Sequence, residues 1–71
     1  MKARWESQTR YYLVKLHQDL LGDWVLTTAH GGRKSERGAL RIKFVETMEN
    51  GLKEIQSIHK RRIRHGYERV F

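Results

Sequence analysis

Residues 39–63 read ALRIKFVETMENGLKEIQSIHKRRI, and the spacing of their apolar residues changes from two positions to about 3.6. Positions 40–44 alternate between apolar and basic side chains, which predicts a strand with one face of each kind. The apolar positions are Leu40, Ile42 and Phe44, and the basic positions are Arg41 and Lys43. A helix-forming segment therefore follows directly after a strand.

The helix is predicted to have Thr47 as its N-cap and Gly66 as its C-terminal stop. Its apolar face comprises Met48, Leu52, Ile55, either Ile58 or His59, and Ile63. Glycine inside a helix costs about 1 kcal/mol relative to alanine, and we expect Gly51 to compensate by allowing close approach to a sheet. The pattern predicts one amphipathic helix packed on that sheet.

The other predicted strands lie on both sides of this segment. Residues 10–17 and 24–30 predict a hairpin, residues 31–38 a loop, and residues 67–71 a short final strand. Residues 1–8 are expected to form a polar N-terminal arm outside a single domain at residues 9–71. The order β-β-β-α-β predicts an α+β fold, in which a small antiparallel sheet carries one helix on one face.

The composition excludes several classes of protein. The chain has 71 residues, no Cys or Pro, and a formal net charge of +7. A domain of this size has little room for a deep catalytic cleft, and without Cys it has neither disulfides nor cysteine zinc sites. No apolar run approaches the roughly 20 residues of a membrane-spanning helix. We therefore expect a cytoplasmic protein that is not an enzyme.

Basic residues are concentrated in two stretches of the chain. The first contains Arg33, Lys34, Arg37, Arg41 and Lys43, opposed only by Glu36, and the second contains Lys60, Arg61, Arg62 and Arg64. Cations at a helix C-terminus contribute about 0.3–1 kcal/mol each, so the second stretch could be a solvated structural face. However, Lys60 and Arg64 form an unfavourable like-charge pair that an anionic ligand would relieve. The two stretches predict an anion-binding surface if they meet in the fold.

The loop at residues 31–38 provides a further indication. Gly31 and Gly32 would let the backbone approach a ligand closely, with successive N–H groups directed at phosphate. His30 has an aromatic face that could stack on a base, and Trp5 and Tyr11 are further stacking candidates. The alternative is an ordinary solvated hairpin loop.

Five segments of the chain occur in a recognisable order. They are RYYL at 10–13, LGDWVL at 21–26, the glycine/arginine loop ending at Gly38, the helix ending in KRR at 60–62, and GY at 66–67. This order resembles the WGR domain over about residues 9–70, and the stand-alone bacterial versions more than the module of poly(ADP-ribose) polymerases. In those polymerases the WGR surface binds DNA near strand ends and breaks, so the resemblance implies nucleic-acid binding.

The chain departs from the family at the motif that names it. Trp-Gly-Arg aligns with His30-Gly31-Gly32-Arg33, which places His30 at the Trp position and the arginine one position late; a shift by one residue places Gly31 there instead. The family Trp stacks on the terminal nucleotide, so this role does not carry over intact. Arg33, Arg37 and Lys60 match the basic pattern of the family.

Other chemistry has no matching pattern in the sequence. The four histidines, His17, His30, His59 and His65, lack the spacing of a zinc motif, and no serine lies in an activating motif. We therefore expect no metal, cofactor or catalytic residue. Insertion into a membrane would use the helix face that must cover the sheet, so no membrane partner is expected.

The sequence thus predicts a non-catalytic module that binds nucleic acid, DNA rather than RNA, mostly through phosphate contacts. Its surface would combine the loop, the helix end, and Arg41 and Lys43 on the outward face of their strand. The alternative is a protein-interaction module that docks on an acidic partner or self-associates through an uncovered sheet face around Tyr11 and Leu13. A monomer or a weak homodimer is expected.

Overall fold

A five-stranded antiparallel sheet with one helix on one face forms the domain, which confirms the predicted α+β class. The structure, a computed structural model, describes residues 1–35 and 37–71. The elements in chain order are β1 (Lys2–Glu6), β2 (Arg10–Gln18), β3 (Trp24–Gly32), β4 (Gly38–Val45), α1 (Met48–Arg64) and β5 (Glu68–Arg69). The strands lie side by side in the order β4-β3-β2-β1-β5.

The N-terminal segment is a strand of the sheet, and the prediction of an arm at residues 1–8 was wrong. β1 pairs with β2 on one side and with β5 on the other. Trp5 is fully buried, and its indole N–H donates to Nδ1 of His59 at 3.0 Å. Ala3 and Trp5 alternate with charged residues, and this period-two signal was present in the sequence.

The core lies between α1 and the covered face of the sheet. Its buried members are Ala3, Trp5, Val14, Leu16, Leu26, Ile55 and Ile58. Met48 and Ile63, which were predicted on the apolar helix face, remain about half exposed because they lie in the first and last turns of α1. No helix of the described residues has both the length and the apolar character needed to cross a bilayer.

Gly51 lies where α1 approaches β2 most closely. A Cβ atom at this position would lie 2.5 Å from Cδ1 and 2.9 Å from Cδ2 of Leu16. Because no side chain tolerates such distances without movement of Leu16, glycine is the residue that lets the helix rest on the sheet. The predicted reason for this glycine is confirmed.

Both ends of α1 are capped as predicted. Oγ1 of Thr47 accepts a hydrogen bond from the N–H of Asn50 at 3.1 Å. At the other end, Gly66 has a φ of +84°, and the N–H groups of Gly66 and Tyr67 donate to the carbonyls of Ile63 and Arg62 at 3.1 and 2.9 Å. This pair of bonds is the Schellman motif, which requires a left-handed residue at Gly66.

Strand β4 forms one edge of the sheet, and its two faces are reversed relative to the prediction. Its register with β3 places Arg41 opposite Thr28 and Lys43 opposite Leu26, and Leu26 faces the helix. The basic face of β4 is therefore the helix side. Its apolar residues, Leu40, Ile42 and Phe44, lie on the uncovered face. One helix covers only one face of the sheet, so these three side chains on the other face stay exposed.

Candidate nucleic-acid interface

The basic end of α1 and the β3–β4 loop lie at the same end of the sheet. Tyr12 pairs with His30 near the end of β3, and the guanidinium of Arg62 lies 4.6 Å from the centre of the Tyr12 ring. The last turns of α1 therefore pass over the strand ends that lead into the loop. Residues far apart in the chain are brought together here.

Three cations from two elements line one groove between α1 and the sheet edge. Arg41 and Lys43 project from β4, and Arg61 projects from α1. The floor is formed by Tyr12, Leu26, Thr28 and Ile58. Glu54 is the one carboxylate in this lining among the described residues, and it forms an ion pair with Lys43.

A second depression continues from this groove along α1. It is lined by Lys53, Glu54, Ser57, Lys60, Arg61 and Arg64. Because Arg61 and Glu54 belong to both linings, the two form one continuous surface. We call this surface the cationic groove and define it by Arg41, Lys43, Lys53, Lys60, Arg61 and Arg64. Lys53 was missed from the sequence, although helical spacing places it on the same side as Lys60 and Arg64.

Arg62 was predicted to bind nucleic acid, but the fold gives it a packing role. Its guanidinium lies 4.6 Å from the ring centre of Tyr12 and 5.1 Å from that of Tyr67. Its Nε is buried without a hydrogen-bond partner among the described residues. Cation–π contacts with two rings offset this loss and join the last turn of α1 to the sheet and to the segment after the helix.

Arg33 lies outside the cationic groove. Its Nη1 donates to the carbonyl of Ser7 at 3.1 Å, and its Nη2 lies 3.5 Å from Oε1 of Glu6. It lines a different cavity, which it shares with Gly66 and Arg69. The structure therefore ties Arg33 to the β1–β2 turn and does not join it to the helix-end cations.

The glycines of the loop have a packing explanation. A Cβ atom on Gly31 would lie 2.9 Å from the carbonyl oxygen of Arg37, and one on Gly38 would lie 3.0 Å from the hydroxyl of Tyr11. The two glycines lie opposite each other in the β3–β4 pair, and the Tyr11 ring packs across them. Gly32 is simply the last residue of β3, opposite Arg10.

The backbone N–H groups of the loop are largely used within the protein. The N–H of Arg33 donates to the carbonyl of Thr9, and that of Ser35 donates to the carbonyl of Gly32. The N–H of Arg37 donates to the hydroxyl of Ser35. The prediction that successive N–H groups face a phosphate was therefore wrong at these three positions. Lys34 and Arg37 have exposed side chains at this end of the molecule, and Glu36 lies outside the described residues.

The predicted stacking residues are all engaged in intramolecular contacts. His30 stacks on Tyr12 with ring centres 5.7 Å apart and planes 6° apart. Tyr11 lies on the uncovered face with the guanidinium of Arg4 4.7 Å from its ring centre, and Trp5 is buried. The described residues contain no group of three His, Cys, Asp or Glu side chains that could hold a metal ion.

Comparisons with known proteins found no match among protein-family models, curated proteins or solved structures. The resemblance to the WGR domain therefore stays a prediction from the sequence. The geometry of the cationic groove is what carries the functional conclusion.

Proposed function

We propose that this protein is a non-catalytic nucleic-acid-binding module that holds phosphates along the cationic groove, with DNA as the expected ligand. The observation that carries the proposal is that Arg41 and Lys43 on β4 and Arg61 on α1 line one groove. Cations spaced along a rigid groove match a polyanion better than a single small anion, because successive phosphates can each meet one of them.

Recognition is expected to depend on the backbone of the nucleic acid. Arginine and lysine contacts to phosphate set position and affinity but carry no sequence information. The aromatic residues that could have stacked on bases pack against other side chains of the domain. Binding with little sequence preference follows from both features.

The resemblance to stand-alone WGR domains supports this proposal. We therefore also propose that the chain is a WGR-like domain. His30 occupies the position of the motif Trp when Trp-Gly-Arg is aligned with His30-Gly31-Gly32-Arg33. Because its ring stacks on Tyr12, we do not carry recognition of strand ends over to this protein.

Charge reversal at the groove tests the proposal. The variant Arg61→Glu with Arg64→Glu should weaken binding to a fluorescein-labelled duplex at least about tenfold in an anisotropy titration, because two phosphate contacts become repulsive. Lys2→Glu with Lys15→Glu is the matched control, since it changes the net charge equally on the uncovered face, where Lys2 and Lys15 are opposite each other. Equal losses in the two variants would show that only net charge matters and would contradict a defined groove.

A further inference from the structure

The uncovered face of the sheet presents a row of apolar side chains along its β4 edge. Leu40, Ile42 and Phe44 are 66%, 63% and 66% exposed. Their neighbours on β3 are Ala29, Thr27 and Val25, so the row continues inward over a largely apolar strand. Exposed apolar patches of this kind mark sites of contact with other molecules.

The same strand is a free edge of the sheet. β4 is the last strand in the sheet order and pairs only with β3 among the described residues. It spans eight residues, Gly38–Val45, and the chain contains no proline that could block it. Natural sheets protect such edges because unpaired N–H and C=O groups accept a further strand.

The basic residues of β4 argue against a second copy of this chain as that strand. In an antiparallel self-pairing centred on Ile42, Arg41 would lie opposite Lys43 of the other copy. Shifting the centre to Arg41 or to Lys43 places that residue opposite itself. Like charges directly opposite one another destabilise a strand pair, so these self-pairings are all penalised.

We propose that β4 receives an extended segment of a partner protein in which apolar and acidic residues alternate. The apolar side chains of this segment would lie beside Leu40, Ile42 and Phe44 and extend the uncovered face. The acidic side chains would lie on the opposite face beside Arg41 and Lys43. Backbone pairing along an edge supplies affinity, and the two different faces supply specificity. The proposal does not depend on nucleic-acid binding.

The test uses three blocked ten-residue peptides with 15N-labelled protein. The probe is EVEVEVEVEV, the first control is EEVVEEVVEV with the same composition, and the second replaces each Glu of the probe by Lys. The probe should change the NMR chemical shifts of the Gly38–Val45 amides and protect these amides from hydrogen exchange. It should also bind about tenfold more tightly than either control, because only the probe aligns opposite charges across the strand pair.

Charge-swapped variants make the test specific. Arg41→Glu with Lys43→Glu should reverse the preference and favour the lysine peptide. Because Lys43 also pairs with Glu54, Arg41→Glu alone is the second variant and should reduce the preference for the acidic peptide; circular dichroism verifies that each variant is folded.

Three results would overturn the proposal. Equal binding of the probe and its same-composition control would reduce the effect to general charge attraction. If the folded charge-swapped variants still prefer the acidic peptide to the same degree, Arg41 and Lys43 do not contact the bound peptide. A concentration-dependent dimer with protected β4 amides in the absence of peptide would identify a second copy as the occupant.

Discussion

Neighbouring arginines of one basic run have different roles at the scale of single residues. Arg61 is exposed and lines the cationic groove, whereas Arg62 lies against the rings of Tyr12 and Tyr67. Successive helical residues are rotated by about 100°, as 3.6 residues per turn requires. The composition of the run therefore predicts an anion site, but only the phase of the helix against the sheet separates the arginine that lines the groove from the arginine that packs on the sheet.

Alanine substitutions should separate these two roles. Arg62→Ala should lower the free energy of unfolding by about 1–2 kcal/mol, because two cation–π contacts and the packing of the side-chain stem are lost. Arg61→Ala should change stability by less than about 0.5 kcal/mol and weaken duplex binding several-fold. Urea unfolding followed by Trp fluorescence, with anisotropy for binding, measures both. If the two variants lose stability and affinity in the same proportions, the assigned roles are incorrect.

At the scale of elements, the seating of α1 on β2 depends on the missing side chain of Gly51. Two forces act in opposite directions at this position. Alanine would favour the helix by about 1 kcal/mol, while its Cβ would overlap the Leu16 side chain, and such overpacking costs about 1–3 kcal/mol. Because Leu16 is buried in the core and has little room to move, we expect the steric cost to exceed the gain in helix propensity.

The sign of the Gly51→Ala effect should therefore depend on Leu16. In the natural background the substitution should destabilise the protein by up to about 2 kcal/mol. In a Leu16→Ala background the overlapping atoms are absent, so the same change should stabilise by about 1 kcal/mol. Urea denaturation of the four proteins completes a double-mutant cycle. The same sign in both backgrounds would contradict the contact.

At the scale of the whole molecule, the fold gathers charge on one side and leaves apolar surface on another. α1 covers one face of the sheet and brings Arg61 beside Arg41 and Lys43, and Lys60 and Arg64 continue this cationic surface along the helix. The same geometry leaves Leu40, Ile42 and Phe44 exposed, because they lie on the face of the sheet opposite α1. The cationic groove and the apolar β4 row are thus two consequences of laying one helix on five strands.

Salt dependence tests the groove as a unit. If about five phosphates are neutralised, a plot of log K against log salt should fall with a slope of about −4 to −5 on duplex DNA. The measurement is an anisotropy titration with a blunt duplex, the same duplex closed by hairpins, and a single strand. We expect equal affinity for the blunt and closed duplexes, since the predicted stacking residues pack within the domain. A flat salt dependence, or no binding at low salt, would contradict phosphate recognition.

Local patterns predicted the elements because their causes are local. Alternation in residues 40–44 predicted β4, and Thr47 and Gly66 marked the ends of α1, since caps and pleats depend on nearby residues. The role of Gly51 was also predicted correctly, because a glycine that costs helix stability beside an apolar residue indicates close packing at that point. The N-terminal strand was missed because five alternating residues with many charges resemble a polar arm.

Local sequence patterns were enough to predict the α+β class, the change from strand to helix and the surplus of basic residues. Three features became clear only from the packed fold: which face of β4 lies on the helix side, which arginine of the 60–64 run is packed, and the contacts of Arg33 with Glu6 and Ser7. Alternation along a strand defines two faces, but it does not define which of these faces packs against the helix. That choice depends on the register of β4 with β3 and on which face of the sheet the helix packs against, which are properties of the whole packed molecule.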